Sequence, residues 1–278
     1  MTSRCYVSHE CNAQNRTLRK FKNEEQEPTV SSLDINPKRV LGWLQTIDNP
    51  KASRKMLEMF REHLPEAHLL ITSFAGKGMV PMAKDFNGSF DYIHDDKGLF
   101  PKRKRKASVS IPFFLKTLYL VCLRYEDEAD WLLNLEDDVE IFNTPKRAEE
   151  NCSLCGPGKE DKAPRWRPPL NVYLKKTAGR RHWNRYSGCG GSILNIKDYI
   201  SAYQKLDVSA WSEYEKLDPR LNRSCDASIS FVLQNAGFGV CKWKEYTGFR
   251  NKDKRNYAVA HGNKEFYDPL VSPDAPRK

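Results

Sequence analysis

Trp131-Leu-Leu-Asn-Leu-Glu136-Asp137-Asp138-Val139-Glu140-Ile141-Phe142 is the stretch whose reading decides the fold. An apolar run with strand character, Trp131 to Leu135, drives into consecutive acids, and the apolar pattern resumes at Val139. Carboxylates packed this closely repel one another and are costly to bury unless a cation shares them. In an open α/β sheet, ligands bind beyond the carboxyl ends of the strands. A buried strand ending in acids there is a seat for a divalent ion such as Mg²⁺ or Mn²⁺, which prefers carboxylate and phosphate oxygens. The same residues also read as a strand running into an acidic turn.

Upstream, Arg39 to Thr46 reads as a buried strand. Asn49 stands at an N-cap position with Pro50 at the first helical position. The helix predicted from Lys51 to Leu64 carries Met56, Met59, Phe60 and Leu64 on one stripe, which marks core. His68 to Ser73 is the next strand, so strand, loop, amphipathic helix and strand open an α/β sheet with a parallel crossover. Residues 1–38 are polar, interrupted by Pro28 and Pro37, and read as an arm or linker. Residues 74–110 are glycine- and proline-punctuated and end in the basic run Lys102-Arg-Lys-Arg-Lys106, a nucleic-acid patch or a solvated loop. Pro112 then opens a helix through Leu115, Leu118 and Cys122.

Downstream, 143–170 is irregular, and Leu170 to Leu174 is strand-like. Tyr186-Ser-Gly188-Cys-Gly190-Gly191-Ser-Ile-Leu then removes side-chain bulk where the backbone must bend or come close to a ligand. Its spacing matches neither a dinucleotide fingerprint nor a Walker A loop, and a plain turn is the other reading. A helix with Tyr199, Tyr203 and Leu206 follows. Asn222 to Asp226 opens another helix, which places Asp226 in a first turn where the dipole favours a carboxylate; capping is the structural alternative. Gly237 to Trp243 is a further strand, and the tail from Arg250 through His261 to Lys264 reads as a basic loop.

At 278 residues, 39% hydrophobic and 11% aromatic, the chain is long and apolar enough for a sizeable core. A net charge of +10 points to an anionic partner. No run approaches the roughly eighteen apolar residues of a membrane span, and the first residues lack the apolar segment of a signal peptide. Cysteines at 5, 11, 122, 152, 155, 189, 225 and 241 are scattered; Cys122 and Cys241 read as packed free thiols, and one CxxC, Cys152 to Cys155, makes no zinc site. Asn15, Asn87, Asn151 and Asn222 begin Asn-x-Ser/Thr sequons that matter only in a secretory lumen. Cytoplasmic residence is the expectation, an anchor-less lumenal catalytic domain the alternative.

Taken in order, the strand ending at Thr46 with Asp48 beyond it, the strand ending Glu136-Asp137-Asp138, the glycine turn, Asp226 and the late His261 form a set. This set resembles the nucleotide-sugar-dependent glycosyltransferases of the GT-A fold, with their Asp-x-Asp metal motif, here Glu-Asp-Asp. The resemblance spans residues 38–265 and identifies a superfamily, whose anchor-less cytosolic members occur in bacteria and large DNA viruses. It implies a Rossmann-like, mixed and mostly parallel central sheet flanked by helices, in a single catalytic domain over 39–278. The nucleotide-binding half would cover 39–142 and the acceptor-binding half 143–278.

The same resemblance implies roles. Asp138 and His261 would bind Mn²⁺ or Mg²⁺, with Glu136 supporting them. Asp137 would reach the donor ribose, or the metal through water, and Thr46 and Asp48 would face the nucleoside. Gly190 and Gly191 would line the donor pocket, Arg250, Arg255 and Lys264 would neutralise phosphate, and Asp226 would be the general base of an inverting transfer. The donor would be a nucleotide sugar, a UDP-sugar first, and the acceptor a glycan or glycoprotein, with no nucleic acid. A sugar-1-phosphate nucleotidyltransferase is the alternative enzyme, but the Ile47-Asp-Asn-Pro50 loop lacks the expected glycines and lysine. A basic nucleic-acid-binding protein is the non-enzymatic alternative.

Overall fold

The computed structural model describes residues 32–46, 49–73, 90–94, 111–160, 185–188, 190–206, 225–248 and 250–263. In chain order they form β1 (Ser32–Asp34), β2 (Val40–Thr46), α1 (Pro50–His63), β3 (His68–Ser73), β4 (Asp91–His94), α2 (Ile111–Tyr125), β5 (Trp131–Leu135), β6 (Val139–Ile141) and β7 (Arg147–Glu149). β8 (Leu154–Gly156), β9 (Lys159–Glu160), β10 (Arg185–Tyr186), β11 (Ile193–Asn195), α3 (Ile196–Gln204), α4 (Cys225–Asn235), β12 (Val240–Lys242), β13 (Tyr246–Gly248) and β14 (Val259–His261) follow.

A seven-stranded sheet in the order β12-β8-β11-β5-β2-β3-β4 carries the molecule. β5, β2, β3 and β4 run parallel, and β12 runs parallel to β8. β11 lies antiparallel to both β5 and β8, so it alone opposes the rest. This is the mixed, mostly parallel, helix-flanked sheet expected from the sequence.

Alternation along the central strands feeds two cores. Val40, Leu44, Leu133 and Leu135 meet Met56, Leu57 and Phe60 of α1, and Leu64 just beyond it, on one face. Leu41, Trp43, Leu132 and Leu194 meet α2, α3 and α4 through Leu118, Cys122, Tyr199 and Phe231 on the other. Each such fully buried side chain contributes roughly 1.5–3 kcal/mol, so β5 and β2, covered on both faces, are anchored to their ends. α1 begins as the sequence predicts, with Pro50 at its first position. Asn49 makes no side-chain cap bond, and its carbonyl instead accepts from the Ser53 amide at 3.0 Å.

Several expectations need correction. Ser32–Asp34, read as part of a polar arm, is a strand paired with β7. His261, read as a loop residue, lies on β14 in a second sheet of order β13-β14-β6. Three-residue strands carry too little periodicity to be read, and β14 is held by its antiparallel ladder with β6. Cys241, read as a free thiol, is joined to Cys152 by a disulfide with a Cα–Cα distance of 5.9 Å. The parallel pairing of β12 with β8 brings it there. Cys155, opposite Cys241 in that ladder, stays a thiol whose pKa burial pushes up to about 12.

The disulfide closes a sequence separation of 89 residues. In the loop-closure account a bond of that span stabilises by about 4–5 kcal/mol. Cys241→Ser is therefore expected to lower the urea midpoint markedly, and reductant should then have no further effect. An unchanged midpoint would remove the bond from the structure's support. Among the described residues no helix is long and apolar enough to cross a membrane.

Candidate metal centre

β5 stops at Leu135 because the next four residues form a tight turn, closed by the Val139 amide on the Glu136 carbonyl at 3.1 Å. The turn sorts the acids. Glu136 and Asp138 fall on one side with His261; Asp137 falls on the other.

His261 arrives because β14 pairs antiparallel with β6, setting it opposite Val139. The Gly262 and Asn263 amides both donate to the Asp138 carbonyl at 3.0 Å and lock the end of β14 onto the turn. His261 Nε2 lies 3.1 Å from Asp138 Oδ1 and 3.5 Å from Glu136 Oε2. One donor atom from each of the three residues falls within 4.8 Å of the others. Asp138 Oδ1 is buried, and apart from the contact with the His261 ring it has no polar partner in hydrogen-bond geometry. A buried acceptor left so costs about 1–3 kcal/mol, more when charged, and a cation relieves both the desolvation and the repulsion from Glu136. Two carboxylates and one imidazole suit a divalent ion of the Mn²⁺ or Mg²⁺ kind. The residues fit.

Asp137 is held differently. Ser53 Oγ donates to its Oδ1 at 2.5 Å and Thr46 Oγ1 to its Oδ2 at 3.2 Å. Burial pushes its pKa up to about 7, against the pull of those two hydroxyls and with the help of Asp138 and Glu136. Asp137 and Thr46, expected at the donor, thus engage each other and α1. Ser53, which the sequence did not single out, is their common partner.

Asn134 ties the glycine turn to this strand. It is the sole polar residue of the Trp131–Leu135 run, and its face is shared with Gln45. Gln45 Nε2 donates to Asn134 Oδ1 at 2.8 Å, and Asn134 Nδ2 donates to the Gly188 carbonyl at 3.0 Å. Its backbone completes the clamp: the amide donates to the Ser192 carbonyl at 2.9 Å, and the carbonyl accepts from Gly191 at 2.6 Å. A Cβ at Gly190 would come within 3.0 Å of Glu136 Cβ and Cδ. Gly191, at φ 81°, would set one 2.5 Å from Val259 Cγ1. The missing side chains let the turn lie directly on the acids and on β14. A polar residue breaking an apolar strand was the signal for Asn134.

α4 reaches the same end of the sheet. It feeds β12, which runs with β8 and therefore with β5, so the first turn of α4 lies at the end where β5 delivers its acids. Ser230 fixes the helix to the approach of the glycine turn, accepting from the Ser187 amide at 2.9 Å and donating to its carbonyl at 2.5 Å. Asp226 sits in that first turn by backbone; its side chain lies outside the described residues, as do Asp48 and Lys264.

The two arginines separate. Arg250, exposed, stands just beyond Gly248, the ladder partner of His261. Arg255 lies at the other end of the β6–β14 ribbon, where its carbonyl accepts from Asn143 at 2.8 Å. There it lines a cleft of about 520 Å³ with His63, Lys146 and Glu245.

Solved structures similar to this chain include that of galactosyltransferase LgtC in complex with donor and acceptor sugar analogs. It is 17% identical, with 80% of this chain and 86% of that chain covered and a TM-score of 0.48. An active-site mutant of LgtC is 15% identical over the same shares, also at 0.48. No family model matches the chain, and no curated protein matches it.

Proposed function

We propose that this chain is a metal-dependent glycosyltransferase that moves a sugar from a nucleoside-diphosphate sugar, a UDP-sugar first, to a hydroxyl of a glycan or glycoconjugate, with inversion. The observation that carries the reading is the meeting of Glu136, Asp138 and His261 beyond the end of β5, with the glycine turn packed on them. Those three residues would hold the divalent ion, with Glu136, expected only to support Asp138 and His261, as the second carboxylate ligand. When bound, the ion supplies Lewis-acid stabilisation of the charge that develops on the departing diphosphate.

The protein's own groups do the rest. Gly190 and Gly191 seat the turn against Glu136 and Val259, so that its backbone borders the donor. Arg250, at the His261 end of the ribbon, contributes positive charge for phosphate, as does Lys264; Arg255 is reassigned to the distant cleft. Asp226 accepts the proton that the acceptor hydroxyl loses as it attacks the anomeric carbon. Asp137 holds β2 and α1 to the turn through Thr46 and Ser53, and Asn134 holds the glycine turn in register with it. Asp48 keeps its place beside the nucleoside in this reading.

A thermal-shift screen of UDP- and GDP-sugars with and without Mn²⁺ tests it. The expected result is stabilisation that needs sugar nucleotide and Mn²⁺ together. Salt-sensitive nucleic-acid binding with no response to any sugar nucleotide would overturn it in favour of phosphate-backbone recognition.

The assignment of the carboxylates has its own test. Even outer partners of metal ligands change affinity by about 10–100-fold, so Glu136→Gln should weaken Mn²⁺ binding by at least about that much. Asp137→Asn should leave Mn²⁺ affinity near that of the parent while changing thermal stability. Calorimetric titration of both variants decides, and the opposite order would return Asp137 to the metal.

A further inference from the structure

We propose that Asn151 is an acceptor for an N-linked glycan when the chain folds in a secretory lumen, where the Cys152–Cys241 disulfide forms. Two independent observations meet at adjacent residues. The disulfide is structural: Cys152 is buried, and the bond fastens the turn before β8 to edge strand β12. Bonds of this kind form and persist in oxidising compartments and are rare where glutathione keeps thiols reduced.

The second observation is the sequon Asn151-Cys152-Ser153 itself. Asn151 is exposed and, at φ 60°, is the sole non-glycine residue with positive φ among the described residues. Asparagine tolerates that conformation where most residues are strained. Its carbonyl is pressed against Gly239, where a Cβ would lie 2.1 Å from the oxygen. The backbone is therefore held by Gly239, just before β12, while the residue itself remains on the surface, so a bulky sugar there displaces no core group.

Order of events follows from the rest of the sequon. Ser153 is buried, with its Oγ 2.6 Å from Asp198 Oδ2, so the folded chain hides the hydroxyl a glycosylating enzyme must read. Attachment therefore precedes docking of β8. Cys241 is 89 residues further along, and during vectorial synthesis Asn151 passes before Cys152 has its partner. Asn151 Nδ2 attacks C1 of a polyprenyl-diphosphate oligosaccharide. The N–C1 bond forms, the C1–O bond to phosphate breaks, and the amide proton is lost as the lipid diphosphate departs. The two thiols later lose two protons and two electrons to a dithiol-disulfide carrier protein, whose own disulfide is reduced.

The full chain, directed to the secretory lumen of cultured cells by a cleavable leader, is digested without reduction after alkylation of free thiols and mapped by mass spectrometry. The expected map shows a hexosamine-based glycan on the Asn151 peptide, that peptide linked to the Cys241 peptide, and one glycan fewer in Asn151→Asp, which suits the same backbone. Ser153→Thr keeps the sequon and should keep the glycan, separating loss of the signal from misfolding. Unmodified Asn151 in folded protein, or Cys152 and Cys241 both alkylated before reduction, would overturn the proposal. Neither outcome depends on glycosyltransfer by the chain.

Discussion

Asp138→Asn should cut sugar transfer by about 10³-fold or more, with Mn²⁺ dependence lost along with donor affinity. Removing one preorganised group that meets developing charge typically costs about 10²–10³-fold; here the substitution removes a charge that also holds the ion. Asp138 Oδ1 is buried, with His261 Nε2 at 3.1 Å beside it and no other polar partner in hydrogen-bond geometry, so a bound cation would supply much of the stabilisation of its charge. A second, opposite effect follows in metal-free buffer. An uncharged amide at that buried position repels Glu136 less, so the variant should melt higher than the parent without Mn²⁺ and gain nothing when Mn²⁺ is added. Transfer assays and melting curves with and without Mn²⁺ read both signs. A variant that kept full metal-dependent activity would remove Asp138 from the cation.

Asp226→Asn should lower kcat by about 10²–10⁴-fold, the usual contribution of a positioned general base, while donor and Mn²⁺ binding stay intact. The substitution preserves shape and capping capacity at the first turn of α4, so the helix should hold its place through Ser230 and Ser187. The wild-type product, followed by NMR at the anomeric carbon, should show inversion. Loss of donor binding in the variant would make Asp226 a structural cap. An active variant giving a product of retained configuration would instead end the base assignment.

Much of this molecule was legible in the chain because the relevant signals were long. Val40–Thr46, Pro50–His63 and Trp131–Leu135 carry enough consecutive apolar positions for their period to declare strand or helix. The acids could be placed at the carboxyl end of a buried strand from that alone. β14 could not be read, since Val259-Ala-His261 is too short to show a period, and only its ladder with β6 makes it a strand.

The sequence by itself determined that consecutive acids follow a buried strand, that a glycine turn comes after them and that a histidine comes late. Tertiary structure alone decided which acid faces which partner: the turn sends Asp137 to the Ser53 and Thr46 hydroxyls and leaves Glu136 and Asp138 beside His261. It likewise chose Cys241 for Cys152. The reason is geometric. Side-chain direction within a tight turn, and proximity between residues far apart in the chain, are set by backbone angles and strand order, and neither leaves a trace in residue type.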